Sequence, residues 1–502
     1  MLSLVTSPAD PCPAPFNMAR HVLALSGRLG GKSALQVLRA GGAERWSFDR
    51  LEAAVRGVAT GLLDRGLQPG DRIMLRMGNG VGFPLAFLGA VTAGIVPVPT
   101  AAGLTVPEVE RLAGVIAPRL IVAGEGMALP ADPPCAILTE TGLRGFENLP
   151  PADWQTGDPD RLAYIVFTSG TSGKPRAIAH AHRAVWARRM MGAGWTGIAA
   201  TDRLFHAGAL NWTYTLGTGL LDPWAAGATA LVTDGSVGPA EIPLLLKRFD
   251  VTIFAAVPGV YRRILSHRPS LDLPHLRHGL SAGEKLPLPI RQRWRAATGT
   301  DLHEAMGMSE CSTFISSSPE RPAPDGATGY VQKGRTVAVL DPDGEPVPRG
   351  QPGELAVHRS DPGLFLGTVE GDAVLGFDGD WFPTGDMVVM AEDGAISTLG
   401  RGDDMINAGG FRVSPAEIED ALAACPGIAS CAAVELAVRA DASVIALFYT
   451  GDAADERLQK HAETCLARYK QPRLYLRRDR LPVTANGKID RRALREEWKE
   501  SQ

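Results

Sequence analysis

Apolar positions recur with two different periods along roughly the first 400 residues. Between residues 52 and 64 they return every three or four positions, which predicts a helix. Short runs rich in Ile, Val and Phe lie between such segments. They predict strands at residues 72–75, 120–123, 164–167, 228–232 and 252–256. Strands that alternate with helices imply crossover connections and a buried parallel sheet.

The pattern changes after about residue 330, where short predicted strands are separated by turn residues. Turns at 341–344 and 392–394 divide strands at 337–340, 353–357, 387–390 and 395–398, so we expect an antiparallel part that is barrel-like or a meander. From residue 401 onward, helices at 415–424 and 455–466 flank strands at 432–438 and 443–449. We therefore predict an α/β chain with two domains. Residues 1–400 form a core of mixed and parallel sheets plus the small β part, and residues 401–502 form a mobile α+β domain.

Residues 77–107 carry no charged side chain, which raises the question of a membrane span. A spanning helix needs about 20 continuous apolar residues. Here Pro84, Pro97 and Pro99, together with several glycines, divide the stretch into short pieces. A buried helix at 85–93 followed by a strand at 95–98 accounts for it better, so we predict no membrane insertion.

Composition narrows the class of protein further. The formal net charge of −4 lacks the basic footprint of a protein that binds nucleic acid. Six cysteines are scattered without close pairs, which argues against a zinc site and against a disulfide framework. The first twenty residues lack a signal-peptide pattern. A reducing, cytoplasmic location is the expectation.

The first chemical signal is a run of hydroxyl and glycine residues after an apolar strand. Thr168-Ser-Gly-Thr-Ser-Gly-Lys174 combines flexible backbone, hydrogen-bond donors and one cation, which suits a polyphosphate. It differs from a Walker A loop, because Thr168 stands where that motif requires glycine. An ordinary Ser/Gly-rich surface loop is the alternative for this stretch taken alone.

This loop resembles the phosphate loop of the adenylate-forming superfamily, which contains acyl-CoA synthetases, firefly-type luciferases and peptide-synthetase adenylation domains. Further similar motifs follow in the family's order: 281–287, 305–310, 381–386, 400–419 and 481–490. The resemblance covers about residues 16 to 494 and is closest to benzoate-type acyl-CoA ligases. It implies use of ATP, Mg²⁺ and coenzyme A.

The same resemblance assigns roles to individual residues. Thr168 and Glu310 would hold Mg²⁺, Ser309 would donate to a phosphate oxygen, and Asp386 would accept from the ribose hydroxyls. The other implied nucleotide or CoA contacts are Ser169, Gly170, Thr171, Ser172, Gly173, Lys174, Gly283, Glu284, Lys285, Glu304, Ala305, Met306, Gly307, Met308, Arg401, Gly409, Gly410 and Arg412. Met306 departs from the family, which commonly has an adenine-stacking aromatic there. Without the resemblance, Ser309–Glu310 would be a polar turn and Asp386 part of a hairpin turn.

Two implied residues belong to a change of conformation between half-reactions. Asp403 corresponds to the family's hinge, and Lys488 to its mobile lysine, which bridges the carboxylate and the α-phosphate during adenylation. Read without the family, residues 400–419 are a charged linker, and a lone C-terminal lysine is usually solvated.

The acid is expected to bind in an apolar pocket beside His206, which the resemblance makes a catalytic residue. The pocket residues would be Phe205, Ala207, Gly208, Leu210, Trp212 and Ala282. Residues 204–208 lack the Asp with which amino-acid-activating relatives pair the substrate ammonium. Gly307 stands where acetate enzymes carry Trp, so a larger acid is expected. A benzoate-like acid and a medium or branched aliphatic acid both fit, because an apolar pocket discriminates by only about 1–3 kcal/mol per methylene.

Several alternatives stay open at this point. No carrier-protein domain follows Lys488, which favours a freestanding acid–CoA ligase that works as a monomer or homodimer. An adenylation enzyme that loads a separate carrier protein is the main alternative. A non-catalytic acyl or nucleotide sensor and a light-emitting oxygenase are the others.

Overall fold

The computed structural model of the chain describes residues 1–39, 41–169, 175–268, 270–402, 404–408, 411–439, 442–466, 468–484 and 488–500. The longer α-helices of this part are Phe48–Asp64, Gly82–Thr92, Val106–Ile116, Ile242–Arg248, Pro258–His267, Leu288–Thr298, Pro415–Ala423, Asp455–Cys465 and Arg491–Glu500. Shorter ones are Met18–Val22, Ser26–Leu29, Glu140–Arg144, Ala184–Ala187, Arg189–Met191, Thr213–Leu216 and Asp222–Ala226. Gly192–Thr196 and Gly217–Leu221 are π-helical, and Arg468–Lys470 is a 3₁₀ turn.

The largest sheet contributes several strands to the candidate site described below. Its strand order is Tyr330–Val331, Ser312–Ser316, Leu302–Met308, His278–Ala282, Ile253–Ala256, Arg203–His206, Thr229–Thr233, Ser33–Arg39 and Gly42–Ser47. The strands from Leu302–Met308 to Ser33–Arg39 are parallel, and the outer ones are antiparallel. Helices Ile242–Arg248, Pro258–His267 and Leu288–Thr298 pack on one face through a common apolar cluster. The predicted parallel sheet is therefore confirmed for this layer.

A second parallel sheet accounts for the charge-free segment. It consists of Val96–Pro99, Arg72–Arg76, Leu120–Ala123 and Ala136–Thr139. Helix Gly82–Thr92 is buried along its whole length because it packs against Phe48–Asp64 and the sheet. Both prolines of Val96–Pro99 fit because this strand lies at the sheet edge. Among the described residues, no helix combines the length and apolar character that a membrane span requires.

The strand before the phosphate loop belongs to a third, antiparallel sheet. Leu162–Ser169 pairs with Pro175–Ala181 as a hairpin, and Gly367–Glu370 and Ala373–Leu375 continue the sheet. The expectation of parallel pairing is wrong for this strand. A loop of a few residues can only return the chain antiparallel to itself, whereas parallel pairing needs a long crossover.

The barrel-like part is confirmed as an antiparallel sheet. Its order is Leu4–Thr6, Thr336–Leu340, Pro352–His358, Trp381–Met390 and Ile396–Arg401. Trp381–Met390 is one continuous strand, so the alternative of a hairpin turn around Asp386 is wrong.

The C-terminal residues form their own α+β layer. Ile428–Arg439, Ala442–Gly451 and Leu474–Arg477 make a sheet that packs against helices Pro415–Ala423 and Asp455–Cys465, while Ile406–Ala408 and Phe411–Val413 form a small hairpin. The predicted fold class, a large N-terminal α/β part and a small C-terminal α+β part, is confirmed. The boundary at residue 400 stays a prediction.

Candidate active site

The phosphate-loop prediction falls mainly outside the described residues. Thr168 is the penultimate residue of Leu162–Ser169 and pairs with Arg176 across the hairpin. Residues 170–174, Asp403, Gly409 and Gly410 lie outside the described part, as do the side chains of Ser169 and Arg412. The hairpin nevertheless fixes where the loop begins and ends.

The turn that carries Ser309 and Glu310 is tied to this hairpin. We call residues 308–312 the Glu310 turn. His180, on strand Pro175–Ala181, contacts the Ser309 carbonyl through Nε2 at 2.8 Å. Burial lowers the pKa of His180 to about 4, so the ring is neutral near pH 7. Because a carbonyl can only accept, Nε2 carries the proton and donates it.

Among the residues that the structure describes, the Glu310 carboxylate faces no competing group. Its backbone carbonyl accepts a hydrogen bond from Phe365 N at 2.7 Å, which anchors the residue. Within the described part of the chain, no hydrogen bond or ion pair occupies the side-chain oxygens, and no three His, Cys, Asp or Glu side chains converge on one point. Mg²⁺ commonly uses one or two carboxylates and completes its shell with phosphate oxygens and water. A single available carboxylate therefore fits that ion.

The nucleotide-side loop, residues 281–287, approaches the predicted acid pocket. Gly283 has φ +94°, and a Cβ there would lie 2.6 Å from Trp212 Cη2. Both facts require glycine at this point. Burial raises the pKa of the neighbouring Glu284, while Arg262 and Lys488 counteract that rise.

Glu304 is already engaged by protein groups. It is 3% exposed, and its carboxylate accepts from Leu286 N at 3.0 Å and from Arg291 Nη2 at 3.3 Å. Burial raises the pKa of Glu304 to about 7. Its protonation therefore changes close to neutral pH.

Replacement of Glu304 by Gln should flatten the pH dependence of stability. The raised pKa means that folded wild type loses stability as pH rises from about 4.5 to 7, because the unfolded chain releases this proton while burial makes the folded state retain it. With each pKa unit corresponding to about 1.36 kcal/mol, Glu304→Gln should gain roughly 3 kcal/mol over wild type between these limits. Thermal unfolding at intervals from pH 5 to pH 8 measures this, with exposed Glu320→Gln as the control. Parallel curves for wild type and Glu304→Gln would contradict it.

Met306 and Gly307 form a bulge beside the barrel-like sheet. The register between Leu302–Met308 and Ser312–Ser316 shifts at Met306/Gly307. Met306 Sδ accepts a contact from Thr398 Oγ1 at 3.7 Å. A Cβ on Gly307 would lie 2.2 Å from the Ser312 carbonyl oxygen. Since backbone cannot yield as a side chain does, a larger residue at 307 would displace the Glu310 turn.

Asp386 and Arg401 face each other across two barrel strands. They are register partners, with Arg401 Nη1 3.8 Å from Asp386 Oδ1 and 2.7 Å from the Thr384 carbonyl. Gly385, at φ +78°, leaves room for the guanidinium, because a Cβ would lie 2.5 Å from Arg401 Nη2. The arrangement holds a carboxylate beside a cation at the sheet edge.

Lys488 is brought to the same place by the C-terminal layer. Burial lowers the pKa of its ammonium, and the carboxylates of Glu284 and Asp386 act in the opposite direction. Lys488 thus joins the nucleotide-side loop and the barrel-like sheet in one electrostatic group. The ion pair between Lys285 Nζ and Asp420 Oδ2, at 2.6 Å, links the same loop to helix Pro415–Ala423.

The acid-side residues that come together are His206, Trp212, Tyr214 and Ala282. Tyr214 stands edge-on to His206 at 4.3 Å and to Trp212 at 5.4 Å between ring centroids, and it shares an apolar cluster with Ala282. His206 is 1% exposed, and neither ring nitrogen has a partner among the described residues. Burial, helped by Arg188, lowers the pKa of His206 to about 3, so the ring is neutral.

The structure places three of the predicted pocket residues in apolar clusters other than the one that holds Trp212 and Ala282. Phe205 points to the opposite face of the large sheet, where it stacks on Phe254 at 5.7 Å, and Ala207 packs in the same cluster. Successive side chains of a strand alternate between faces, so Phe205 and His206 cannot share a pocket. Leu210 is buried in the cluster beneath the second sheet. Gly208 remains beside His206, since a Cβ there would lie 3.0 Å from the ring.

Sequence reasoning missed the residues that support these groups. Asn79 donates to the Gly208 carbonyl at 2.7 Å and accepts from Leu210 N at 2.8 Å. His180 and Arg188 each reach the Glu310 turn from more than 120 positions away. No local spacing links such distant residues, although their polar side chains within apolar segments are an available signal.

Family models and known relatives match the chain that carries this geometry. A model described as AMP-binding enzyme matches residues 26–367, and one described as AMP-binding enzyme C-terminal domain matches residues 417–488. The chain belongs to the AMP-binding enzyme family. Benzoate–CoA ligase of Thauera aromatica is 30% identical over 98% of both chains. The prediction of an adenylate-forming enzyme that resembles benzoate-type ligases is thereby confirmed.

Solved structures of AMP-binding enzymes share the fold. A benzoate CoA ligase from Burkholderia xenovorans LB400 has a TM-score of 0.84 at 27% identity, covering 96% of this chain and all of its own. The anthranilate CoA ligase AuaEII, in complex with anthranoyl-AMP, has a TM-score of 0.88, 24% identity, and coverage of 98% and 99%. At that identity the second likeness concerns the fold alone. The predicted enzyme class, an AMP-forming acid–thiol ligase, agrees with the relative from Thauera aromatica and the structure from Burkholderia.

Proposed function

We propose that this AMP-binding enzyme joins a carboxylic acid to coenzyme A in two steps that consume ATP. A carboxylate oxygen first attacks the α-phosphorus, so that pyrophosphate leaves and an acyl-adenylate forms. The CoA sulfur then attacks the acyl carbon, and AMP leaves. The relatives are acid–CoA ligases by name, and the family is adenylate-forming.

The observation that carries the proposal is the position of Lys488. The carboxylates of Glu284 and Asp386, which belong to two other parts of the fold, both act on its ammonium and oppose the lowering of its pKa by burial. Attack of a carboxylate on a phosphate brings two anions together, so the site must neutralise charge and align the groups. An ammonium at the meeting point of the nucleotide-side loop and the barrel-like sheet meets that need.

Mg²⁺ would be held by Glu310, with Thr168 at the hairpin end as the second protein group. The ion supplies positive charge to the phosphate oxygens when it is bound. Glu310 suits this role because its carboxylate is available and its backbone is anchored by Phe365. The ribose would be held by Asp386, whose carboxylate can accept two hydrogen bonds.

The acid is proposed to be a benzoate-like aromatic acid. Trp212 and Tyr214 offer aromatic faces at right angles to each other, 5.4 Å between ring centroids. Gly208 packs closely against His206 and Thr215, where a Cβ would clash. Benzoate–CoA ligases among the relatives support this choice over medium or branched aliphatic acids, which an apolar pocket also admits.

Pyrophosphate release tests the proposal directly. ATP and Mg²⁺ are supplied with benzoate, substituted benzoates, butyrate, hexanoate or a branched acid, each with and without CoA. Release that depends on one aromatic acid and rises with CoA supports the ligase. Release that rises instead with a phosphopantetheinyl carrier protein would favour the carrier-loading alternative. Silence with every acid would contradict the proposal.

A further inference from the structure

Arg188 makes a buried set of contacts that the proposed reaction does not use. It is 9% exposed and lies between the short helices Ala184–Ala187 and Arg189–Met191. Nε and Nη2 donate to the two carboxylate oxygens of Asp222, each at 2.7 Å. Nη2 also donates to Thr218 Oγ1 at 3.1 Å, and Nη1 donates to Ser312 Oγ.

These partners belong to two different parts of the candidate site. Thr218 and Asp222 follow Tyr214 along the chain. We call residues 212–222, which lie on the proposed acid-binding side of the site, the acid-side segment. Ser312 closes the Glu310 turn. Arg188 therefore spans from the acid-side segment to the proposed metal-binding turn with a rigid, planar group.

The backbone at Gly217 and at Ser312 accommodates the contacts of Arg188. A Cβ on Gly217 would lie 2.1 Å from Arg188 Cζ, so only glycine lets the guanidinium lie against the acid-side backbone. Ser312 adopts φ +63°, which is unfavourable for a residue with a side chain. The residue at this strained position is the one whose hydroxyl accepts from Arg188.

A direct role of Arg188 in binding an anionic substrate does not fit these contacts. Its charge is already matched by the bidentate Asp222 carboxylate. The space beside it is a cavity of about 20 Å³ lined by Thr213, Ser309 and Ser312, among others. That volume holds about one water molecule.

We propose that Arg188 is a positioning residue, which fixes the Glu310 turn relative to the acid-side segment through Ser312. This inference rests on the proposed function, since it gives the turn a Mg²⁺–nucleotide to hold. A second buried pair, Arg335–Asp361, also holds this end of the turn, since Arg335 Nη2 donates to the Thr313 carbonyl at 3.0 Å. Arg188 differs from Arg335 because it also contacts Thr218 and Asp222.

Calorimetric binding of ATP to the full chain tests the role, once in excess Mg²⁺ and once in excess EDTA. Ser312→Gly removes the acceptor of Arg188 and suits the positive φ, so we expect the variant to fold, and its melting temperature checks this. We expect its gain in ATP affinity from Mg²⁺ to fall about tenfold, while affinity in EDTA stays unchanged. Arg188→Lys, which keeps the charge without the planar fork, should show the same selective loss.

Thr218→Val is the matched control, because it removes another acceptor of the same arginine at the end remote from the turn. It should keep the Mg²⁺-dependent gain of wild type. Equal loss in Thr218→Val and Ser312→Gly, or no loss in Ser312→Gly, would overturn the positioning role alone. A wild-type protein that binds no ATP in either buffer would overturn the proposed function together with this inference.

Discussion

Pyrophosphate release by Lys488→Ala should fall about 100- to 1,000-fold, the range expected when a preorganised electrostatic group is removed. In the wild type, the half-buried ammonium feels the carboxylates of both Glu284 and Asp386, which act against the lowering of its pKa by burial. Its removal leaves two carboxylates without their shared cation at the point where a third anion must approach. The second half-reaction should proceed close to the wild-type rate when synthetic acyl-adenylate and CoA are supplied, because no phosphate is then attacked.

Separate assays of the two half-reactions make this prediction decisive. Lys499→Ala, on the exposed face of the final helix, is the control for loss of a lysine from the same domain. Equal loss of both half-reactions in Lys488→Ala would indicate general damage to the site and would contradict the assigned role.

Asp403→Pro should give the opposite result, with thioester formation slowed about 100-fold and pyrophosphate release spared. In the proposed mechanism, Lys488 would occupy the place that the CoA thiol needs, so the C-terminal residues would have to turn between the steps. A proline at the proposed hinge fixes φ near −65° and restricts the preceding residue, which opposes such a rotation. A positional error of about 1 Å can cost 100-fold in rate.

The hinge prediction has a matched control at the same position. Asp403→Ala removes the carboxylate but keeps backbone freedom, and it should support both half-reactions. Loss of thioester formation in Asp403→Ala as well would assign the effect to the side chain. Equal loss of both steps in Asp403→Pro would contradict the hinge.

Local sequence patterns predicted the helices and strands well where a buried apolar segment is bounded by proline or glycine. Proline and glycine around residues 77–107 marked both ends of the buried helix Gly82–Thr92. The strand at 120–123 was predicted to the residue. The antiparallel pairing of Leu162–Ser169 was missed because the apolar run is the same in either orientation, and only the short loop decides it.

The residues of the candidate site also fall into two groups, those that short sequence motifs reveal and those that they do not. Residues that bind ligands lie in short motifs, so resemblance could assign roles to Glu310, Asp386 and Lys488, and these roles stay predictions. Residues that hold those motifs in place come from remote positions, as Arg188 does for Ser312. The face of the strand on which Phe205 lies was not predicted, because a motif does not tell to which side of a strand each of its residues points.

The position of strand Leu4–Thr6 in its sheet determines when that sheet can form during translation. Its partner is Thr336–Leu340, with Leu4 opposite Ala338. At about 5–20 residues per second, a ribosome takes roughly half a minute to supply that partner after the first strand has emerged. The barrel-like sheet is therefore completed late in translation, when the hairpin around the phosphate loop has already been synthesised, and its first strand has to wait unpaired until then.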